Sequence, residues 1–227
     1  MPAVKRALFE MGARTPLRRY LYHRYDYSFT PRQLAFLVHS LDEVAAVEGD
    51  VVEVGCAYGL TTVFLNKHLA DVASPKRYIC VDTFEGFTAR DAAYEETARG
   101  KAGAGYEHRY ADASLRAFRR TLANNGLDHV TTVRGDIAEV SLDDVGSVSF
   151  ALIDVDLYLP VRAALRRIYP KLSSGGLIVI DDCQQHPLWD GALEAYTEFV
   201  AERGLIAEVV EGQFGLVRRE ASSRSPR

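Results

Sequence analysis

Two short apolar runs that each end in aspartate constrain this chain more than any other feature. Residues 148–154 read VSFALID and residues 177–182 read LIVIDD, with a helix-like segment between them. A strand, a crossover helix and a second parallel strand place the carboxyl ends of both strands at one edge of a sheet. The pattern therefore predicts that Asp154, Asp181 and Asp182 meet in a small space.

Three carboxylates that lie so close repel one another and raise each other's pKa unless a cation or a shared proton intervenes. An oxygen-only site suits a hard cation such as Mg²⁺, which leaves coordination positions open for substrate oxygens. Asp154, Asp181 and Asp182 are therefore the predicted metal ligands, and a metal-free, hydrogen-bonded acid cluster is the alternative. Asp156, two residues beyond Asp154, is interpreted as a turn or helix-capping residue.

The rest of the sequence is that of one ordinary α/β domain. The chain has 227 residues, of which 48% are hydrophobic and 26% charged, as in a folded globular protein. Apolar runs alternate with helical segments, which predicts a doubly wound, Rossmann-like sheet closed by a C-terminal antiparallel strand pair. We expect a domain over residues 31–219, an N-terminal extension over 1–30 that forms a lid, an edge cover or a dimer contact, and a disordered tail over 220–227.

Charge and cysteine content indicate the surroundings of the protein. The net charge is −4 and no basic stripe is interleaved with aromatic residues, which argues against a nucleic-acid partner. The three cysteines are widely spaced and form no CxxC pair, a pattern typical of free thiols in a reducing compartment. Since no apolar run has the length of a membrane span or a signal-peptide core, we expect a cytoplasmic protein without membrane contact.

A glycine-containing turn follows the first predicted strand. Residues 53–59 read EVGCAYG and lead into a helix, so that a ligand could approach backbone N–H groups at the helix N-terminus. The turn lacks the GxGxxG spacing of dinucleotide folds, which disfavours a nicotinamide cofactor. Glu53 would repel a pyrophosphate but could receive an ammonium group. We therefore predict S-adenosylmethionine, which carries both an ammonium and a carboxylate.

Acids after the next two strands extend this predicted cofactor site. Asp82 is placed to accept hydrogen bonds from ribose hydroxyl groups, a role found in both NAD and S-adenosylmethionine sites. Asp136 could accept from the adenine amino group, or it could be an ordinary loop aspartate. Residues 83–110 show no consistent period and contain GKAGAG at 100–105, which favours a long, irregular binding loop or lid.

Taken together, three blocks of the sequence resemble a known family. VVEVGCAYGLTTVFLNKHL, YICVDTFEGF and ALIDVDLYLPVRAALRRIYPKLSSGGLIVIDD are similar to the corresponding blocks of the TylF/MycF/NovP group of class I methyltransferases, within residues 25–199. That group comprises S-adenosylmethionine-dependent O-methyltransferases that act on sugars of antibiotics. The resemblance implies a class I methyltransferase sheet, S-adenosylmethionine and Mg²⁺ as cofactors, a small-molecule hydroxylated acceptor and a homodimer.

The resemblance also implies roles for single residues. It implies that Asp82 binds the ribose, that Asp136 binds the adenine, and that the magnesium ion is bound by Asp154, Asp181 and Asp182. The methionine end of the cofactor would be bound by the glycine turn and the helix that follows it. The predicted binding residues there are Glu53, Gly55, Tyr58, Gly59 and Thr61.

Methyl transfer requires an aligned acceptor oxygen and removal of its proton. Asp154 is predicted to serve as both metal ligand and general base, and His186, in the loop after the second acidic strand, is the alternative base. Trp189 and Tyr158 are either walls of the acceptor site or ordinary packing residues. Three other functions stay open: a metal-independent methyltransferase, a non-catalytic S-adenosylmethionine-binding partner subunit, and a nicotinamide oxidoreductase.

Overall fold

The computed structural model describes residues 4, 11–12, 14–15 and 27–220. Its strands are β1 Asp50–Val54, β2 Tyr78–Asp82, β3 Thr131–Arg134, β4 Val148–Ile153, β5 Leu172–Ile180, β6 Glu208–Val210 and β7 Phe214–Arg218. Its α-helices are α1 Pro31–Glu43, α2 Leu60–Asp71, α3 Ala89–Thr97, α4 Leu115–Asn124, α5 Tyr158–Ile168 and α6 Gly191–Glu202. Short 3₁₀ helices cover Tyr106–His108 and Tyr169–Lys171.

The strands form one mixed sheet in the order β3-β2-β1-β4-β5-β7-β6. Strands β1 to β5 pair with one another in parallel, and β7 is antiparallel to both β5 and β6. The order reverses between β1 and β4, which is where doubly wound sheets bind their ligands. The predicted doubly wound sheet with a C-terminal antiparallel pair is confirmed.

Apolar side chains from both faces of the sheet form two core clusters. One cluster joins β4 and β5 to α5 and α6, with Val161 and Leu165 of the crossover helix among its fully buried members. The other lies under α1, α2 and α4, where Leu37 and Leu65 are buried. Because helices cover both faces, every residue of β1 and β4 is buried, as expected for the centre of a parallel sheet.

The register of β4 and β5 brings the predicted acids to one edge. Ile153 pairs with Ile180, and the backbone N–H of Asp181 donates to the carbonyl oxygen of Ile153 at 2.8 Å. Asp154 and Asp181 each follow the last residue of their strand, so parallel pairing sets them side by side. The crossover helix α5 between the two strands produces this arrangement, as the sequence pattern predicts.

Residues 83–110 differ from the sequence-based expectation of an irregular loop. They contain helix α3, whose N-cap Thr88 accepts a hydrogen bond from the backbone N–H of Asp91. The buried face of α3 consists of Asp91, Ala92 and Glu95 and has no apolar stripe. Arg99, whose side chain is 5% exposed, forms an ion pair with Glu95. The helix is therefore held by buried polar contacts, which a search for apolar periodicity misses.

Two predicted segments lie largely or wholly outside the described residues. The N-terminal extension is described only at 4, 11–12, 14–15 and 27–30, and the tail only at Glu220. In the described part of the chain, every helix is too short or too polar to cross a lipid bilayer.

Candidate active site

A cavity of about 260 Å³ lies at the carboxyl ends of β1 to β4. Five residues predicted to bind the cofactor border it, and so does the predicted base Asp154. The five cofactor residues are Gly55, Tyr58, Thr61, Asp82 and Asp136. The cavity thus joins the glycine turn to the acids after β4, which is the layout required to bring a donor and an acceptor together.

Two glycines give the turn after β1 its shape. Gly55 has a φ of +89°, and a Cβ atom there would lie 1.8 Å from the carbonyl oxygen of Asp154. Only glycine allows the ends of β1 and β4 to pass so closely. Gly59, with a φ of +81°, is the N-cap of α2 and provides no side-chain cap. The first N–H groups of α2 can therefore serve an acidic group of a ligand.

Asp82 holds the glycine turn in place as well as bordering the cavity. Its Oδ2 atom accepts from the backbone N–H groups of Cys56 at 2.7 Å and Ala57 at 2.9 Å. Its Oδ1 atom accepts from the backbone N–H of Phe84 at 2.6 Å. Each carboxylate oxygen has two lone pairs and can accept two hydrogen bonds. The predicted contact with the ribose would therefore use the second lone pair of Oδ1.

Asp136 is already paired with protein groups. Its Oδ1 atom accepts from the backbone N–H of Ala138 at 2.8 Å, and its Oδ2 atom accepts from Arg90 at 2.7 Å. Arg90 also forms an ion pair with Asp91, whose pKa is raised by burial. Sequence analysis misses Arg90 because this residue lies in the segment without periodicity. An adenine amino group would share Asp136 with this arginine.

Glu53 does not border the cavity, contrary to the predicted contact with an ammonium group. Its Oε2 atom accepts from the hydroxyl groups of Thr62 at 2.6 Å and Tyr78 at 2.9 Å. Burial raises the pKa of Glu53 to about 7. Alternate residues of a strand point to opposite faces, and Glu53 shares with Val51 the face covered by α1 and α2. The carboxyl group therefore lies beneath the turn.

The acids after β4 and β5 form a cluster in which Asp156 and Asp181 are buried and Asp154 and Asp182 are half-buried. The side chains of Asp154 and Asp181 lie close enough for each to act on the pKa of the other, and Asp182 acts in the same way on the pKa of Asp156. Burial, and next the charge of Asp181, raises the pKa of Asp154 well above its usual value. Burial together with the charge of Asp182 raises the pKa of Asp181 to about 7.

Asp156, which the sequence indicates as a turn or helix-capping residue, also belongs to this cluster. It is 8% exposed and borders the cavity, and burial and the charge of Asp182 raise its pKa. Its backbone has a positive φ of 53°, and Asp182 has one of 57°. The spacing of Asp154 and Asp156, two residues apart after a strand, was the available sequence signal. The backbone carbonyl oxygen of Asp156 also has a structural role, since it accepts a hydrogen bond from the N–H of Ala192 at 3.0 Å.

Within residues 27–220, none of the four clustered carboxyl groups forms an ion pair. Asp181 accepts a hydrogen bond from Gln213 at 2.6 Å. The charge of Arg109 offsets part of the rise in the pKa of Asp156. An oxygen-only set of carboxylates with so little counter-charge fits a hard divalent cation. The possible ligand atoms of the predicted triad do not all lie within 4.8 Å of one another. A cation would therefore be bound after these side chains turn toward each other.

A second group of possible ligand atoms lies beneath the glycine turn. Among the described residues, Glu53, Cys56 and Cys80 offer ligand atoms that all lie within 4.8 Å of one another. Both thiols are buried, and burial raises the pKa of each. Protonated thiols are poor metal ligands, so this group packs the core beneath the cofactor site.

His186 is exposed and does not border the cavity. Its Nδ1 atom accepts from the backbone N–H groups of Leu188 at 3.1 Å and Trp189 at 3.0 Å. The imidazole therefore shapes the loop after β5, and its position gives no support to its role as the alternative base. Nothing in the sequence of this polar loop predicts that the His186 ring accepts hydrogen bonds from the loop's own backbone.

The two aromatic residues weighed as acceptor walls differ in their surroundings. Tyr158 donates to Glu198 at 2.6 Å and stacks on Tyr94 with ring centroids 5.5 Å apart, which is ordinary packing. Trp189 packs edge-on against Tyr106, with ring centroids 4.8 Å apart. The guanidinium group of Arg109 lies 5.2 Å from the centre of the Trp189 ring.

Tyr110 is a cavity residue that sequence analysis misses. It borders the cavity, and its ring meets the ring of Phe87 edge-on at a centroid distance of 5.7 Å. The charge of Asp156, with burial and the charges of Asp154 and Asp182, raises the pKa of the phenol. Because Tyr110 is distant in sequence from these acids, only the folded chain brings them together.

Comparison with known proteins agrees with this architecture. NovP, an O-methyltransferase, superposes with a TM-score of 0.70 at 21% identity, covering 83% of this chain and 80% of its own. CalS11, a calicheamicin methyltransferase, gives a TM-score of 0.68 at 17% identity, covering 94% and 90%. An O-methyltransferase from Bacillus cereus in complex with SAH gives 0.54 at 17% identity, covering 84% and 81%. At these identities the similarity shows the fold.

The family is shown by a separate comparison. A search among curated proteins finds no match. The family described as Macrocin-O-methyltransferase (TylF) matches residues 27–213, which include the glycine turn, the cavity and all four clustered acids. This match decides between the alternatives of methyltransferase, oxidoreductase and non-catalytic binding subunit. The chain belongs to the TylF macrocin-O-methyltransferase family and is an S-adenosylmethionine-dependent O-methyltransferase.

Proposed function

We propose that this enzyme is Mg²⁺-dependent and methylates one hydroxyl group of a vicinal diol on a sugar of a small-molecule natural product. The observation that carries the proposal is the acid cluster, which joins the cofactor cavity and has no ion pair within residues 27–220. The family is that of macrocin O-methyltransferase, and two similar structures are those of NovP and the calicheamicin methyltransferase CalS11. These names support an acceptor of the natural-product class.

The donor set supports magnesium as the metal. Asp154, Asp181 and Asp182 offer carboxylate oxygens only, a choice that suits Mg²⁺ better than Zn²⁺ or copper. When bound, the ion lowers the pKa of a coordinated hydroxyl group and holds that group in place. Its positive charge would also offset the repulsion that raises the pKa values of these acids.

Asp154 is the group we assign as general base. It follows β4 at the point where Gly55 lets the backbone of the cofactor turn approach most closely. It also borders the cavity, whereas His186 does not. A base must lie within hydrogen-bond reach of the proton that it removes. Asp154 satisfies this requirement for an acceptor bound in the cavity beside the methyl donor.

The cofactor assignments follow from the cavity wall. We assign the methionine end to the turn at Gly55 and Gly59 and to Tyr58 and Thr61, beside the uncapped start of α2. Asp82 would bind the ribose. The adenine would lie near Asp136, which it shares with Arg90. Glu53 has no direct role in this assignment.

Two measurements test the proposal. Methyl transfer from radiolabelled S-adenosylmethionine to a panel of methyl glycosides with vicinal diols should require Mg²⁺ and stop when EDTA is added. Calorimetric titration with Mg²⁺ alone should give a binding signal that the Asp181→Asn variant loses. Calorimetry detects the metal site even where no acceptor on the panel is methylated.

Two outcomes would contradict the proposal. Full activity in EDTA would favour the metal-independent methyltransferase, with the acid cluster held together by shared protons. Equal Mg²⁺ affinity in the wild type and the Asp181→Asn variant would remove the cluster as the binding site. Asp143→Asn is a matched control, since Asp143 is an exposed acid whose Oδ2 atom accepts a hydrogen bond from the hydroxyl of Ser141.

Cytoplasmic location and a homodimer are part of the proposal. The three cysteines are free and buried, which supports a reducing compartment. The N-terminal extension, which we expect to contribute to a lid or to a dimer contact, falls mostly outside the described residues. Sedimentation of the full chain beside a chain that begins at residue 27 would test the dimer contact.

A further inference from the structure

Tyr110 differs from three other tyrosines of this region, Tyr58, Tyr78 and Tyr158, in having a hydroxyl group without a hydrogen-bond partner in residues 27–220. Tyr58, Tyr78 and Tyr158 donate to the carboxylates of Asp112, Glu53 and Glu198, respectively. Within residues 27–220, no residue forms a hydrogen bond with the Tyr110 hydroxyl group. Its donor is therefore available to a ligand in the cavity.

The position of Tyr110 places that donor next to the acids. The side chain borders the same cavity as Asp154 and Asp156 and is 39% exposed. The charges of Asp156, Asp154 and Asp182 all act on its phenol group. An acceptor whose hydroxyl group reaches Asp154 would thus also come within reach of Tyr110.

The backbone holds Tyr110 in an uncommon conformation. Its φ is +57°, in the left-handed region that a residue with a side chain rarely adopts. Gly86 packs against the neighbouring backbone, and a Cβ atom on Gly86 would lie 2.5 Å from the carbonyl oxygen of Arg109. The edge contact with Phe87 adds a second restraint. Strain of this kind persists where the surrounding structure fixes it, often at ligand sites.

We propose that Tyr110 is an acceptor-binding residue whose hydroxyl group donates a hydrogen bond to the oxygen next to the hydroxyl that is methylated. This inference rests on the proposed function, because that function supplies an acceptor with two adjacent oxygens. The bond orients the diol so that one hydroxyl faces Asp154 and the other faces the phenol. Tyr110 then makes the enzyme specific for a diol over an isolated hydroxyl group.

Paired substrates test this role. The panel glycoside that the wild type methylates fastest is compared with its deoxy analogue that keeps the methylated hydroxyl and lacks the neighbouring one. For the diol, Tyr110→Phe should lower kcat/KM about tenfold, the value of one hydrogen bond to a neutral group. For the deoxy analogue, the wild type and Tyr110→Phe should agree within about twofold, since the bond is absent in both.

Tyr169→Phe is the matched control, because Tyr169 packs against Phe199 outside the cavity. It loses the same atom and should react like the wild type with both substrates. Equal losses on the diol and the deoxy analogue, or no loss on the diol, would overturn the role of Tyr110 and leave the proposed function intact. If the wild type methylates no vicinal-diol glycoside on the panel, the proposed acceptor class is wrong and this inference falls with it.

Discussion

The two halves of the active-site edge are built in opposite ways. In the cofactor half, around the turn after β1, Asp82 accepts three backbone N–H groups, and Asp136 accepts one together with Arg90. In the acceptor half, at the ends of β4 and β5, four carboxyl groups meet without an ion pair within residues 27–220. In the cofactor half, hydrogen-bond donors of the protein already stabilise the carboxylate charges. In the acceptor half, the negative charges can be balanced only by protons or by a cation.

This contrast shows how one sheet edge can serve two tasks. Donors fixed in advance around the cofactor half reduce the ordering that binding requires. Uncompensated acids in the acceptor half lower the stability of the protein alone and favour a positively charged ligand. Removing a carboxylate that accepts hydrogen bonds at the cofactor half, such as Asp82, should therefore destabilise the protein. Removing one of the acids of the acceptor half should stabilise it, even though both changes reduce activity.

The largest effect is expected for Asp154→Asn. Loss of the general base should lower kcat/KM by roughly 10²–10⁴-fold, measured by methyl transfer from radiolabelled S-adenosylmethionine. Thermal unfolding at pH 8 in EDTA should show a higher midpoint than the wild type, because one of four repelling charges is gone. Near-normal activity of the variant would contradict the role of Asp154 as general base. A lower midpoint in EDTA would contradict the claim that the acids of the acceptor half destabilise the protein.

Glu53→Gln tests the one buried acid beneath the cofactor half. The folded-state pKa of Glu53 is raised from 4.5 to about 7, so its protonation favours the folded state. This stabilising contribution is fully present below pH 4.5, declines as the pH rises, and is gone above about pH 7. At about 1.4 kcal/mol per pKa unit, it amounts to about 3 kcal/mol.

The Gln variant lacks this titration and still accepts from Thr62 and Tyr78 through its amide oxygen. Urea unfolding should find it as stable as the wild type near pH 4 and more stable at pH 8, by up to about that amount. Parallel pH profiles for the two proteins would show that Glu53 does not titrate with folding.

Asp82→Asn should weaken the cofactor half without affecting the metal. An amide nitrogen cannot accept the backbone N–H groups that now reach the carboxylate, a loss of about 1.5–3 kcal/mol per charged hydrogen bond. Calorimetry should show roughly tenfold or greater loss of S-adenosylhomocysteine affinity, a lower unfolding midpoint and unchanged Mg²⁺ affinity. A change in Mg²⁺ affinity of similar size would mean that the two halves are coupled.

The smallest effect is expected for His186→Ala. The imidazole lies outside the cavity and accepts two backbone hydrogen bonds in the loop that carries Trp189. The free energy of unfolding should fall by about 1 kcal/mol, and kcat/KM by no more than about threefold. His186→Asn, which retains an acceptor, should recover most of this stability. A hundredfold loss of kcat in both variants would instead restore His186 as the base.

The sheet and the general position of the site could be predicted from local patterns. The glycine turn, Asp82 and the acids after β4 and β5 all follow apolar strands, and the carboxyl ends of parallel strands share an edge. Helix α3 could not be predicted in this way, because its buried face carries Asp91 and Glu95 in place of an apolar stripe. Buried polar contacts depend on partners far along the chain.

Side-chain orientation was the other source of error. Glu53 precedes a glycine turn in sequence, yet strand alternation turns it toward the helices and away from the cavity. Asp156 has the spacing of a turn residue, yet it joins the acids. Tyr110 lies in a segment without a motif, and the close approach of Gly86 to its neighbouring backbone holds it beside the acids.

The sequence by itself therefore determined the parallel sheet, the cofactor turn and the meeting of Asp154 with Asp181 and Asp182. These features depend on the order of strands and on which residue follows each strand, and both are written along the chain. Only the tertiary structure decided which side chains enter the cavity and which are paired. Pairing sets the charge balance of each half, and it results from contacts between segments as distant as Tyr110 and Asp156 that no local pattern encodes.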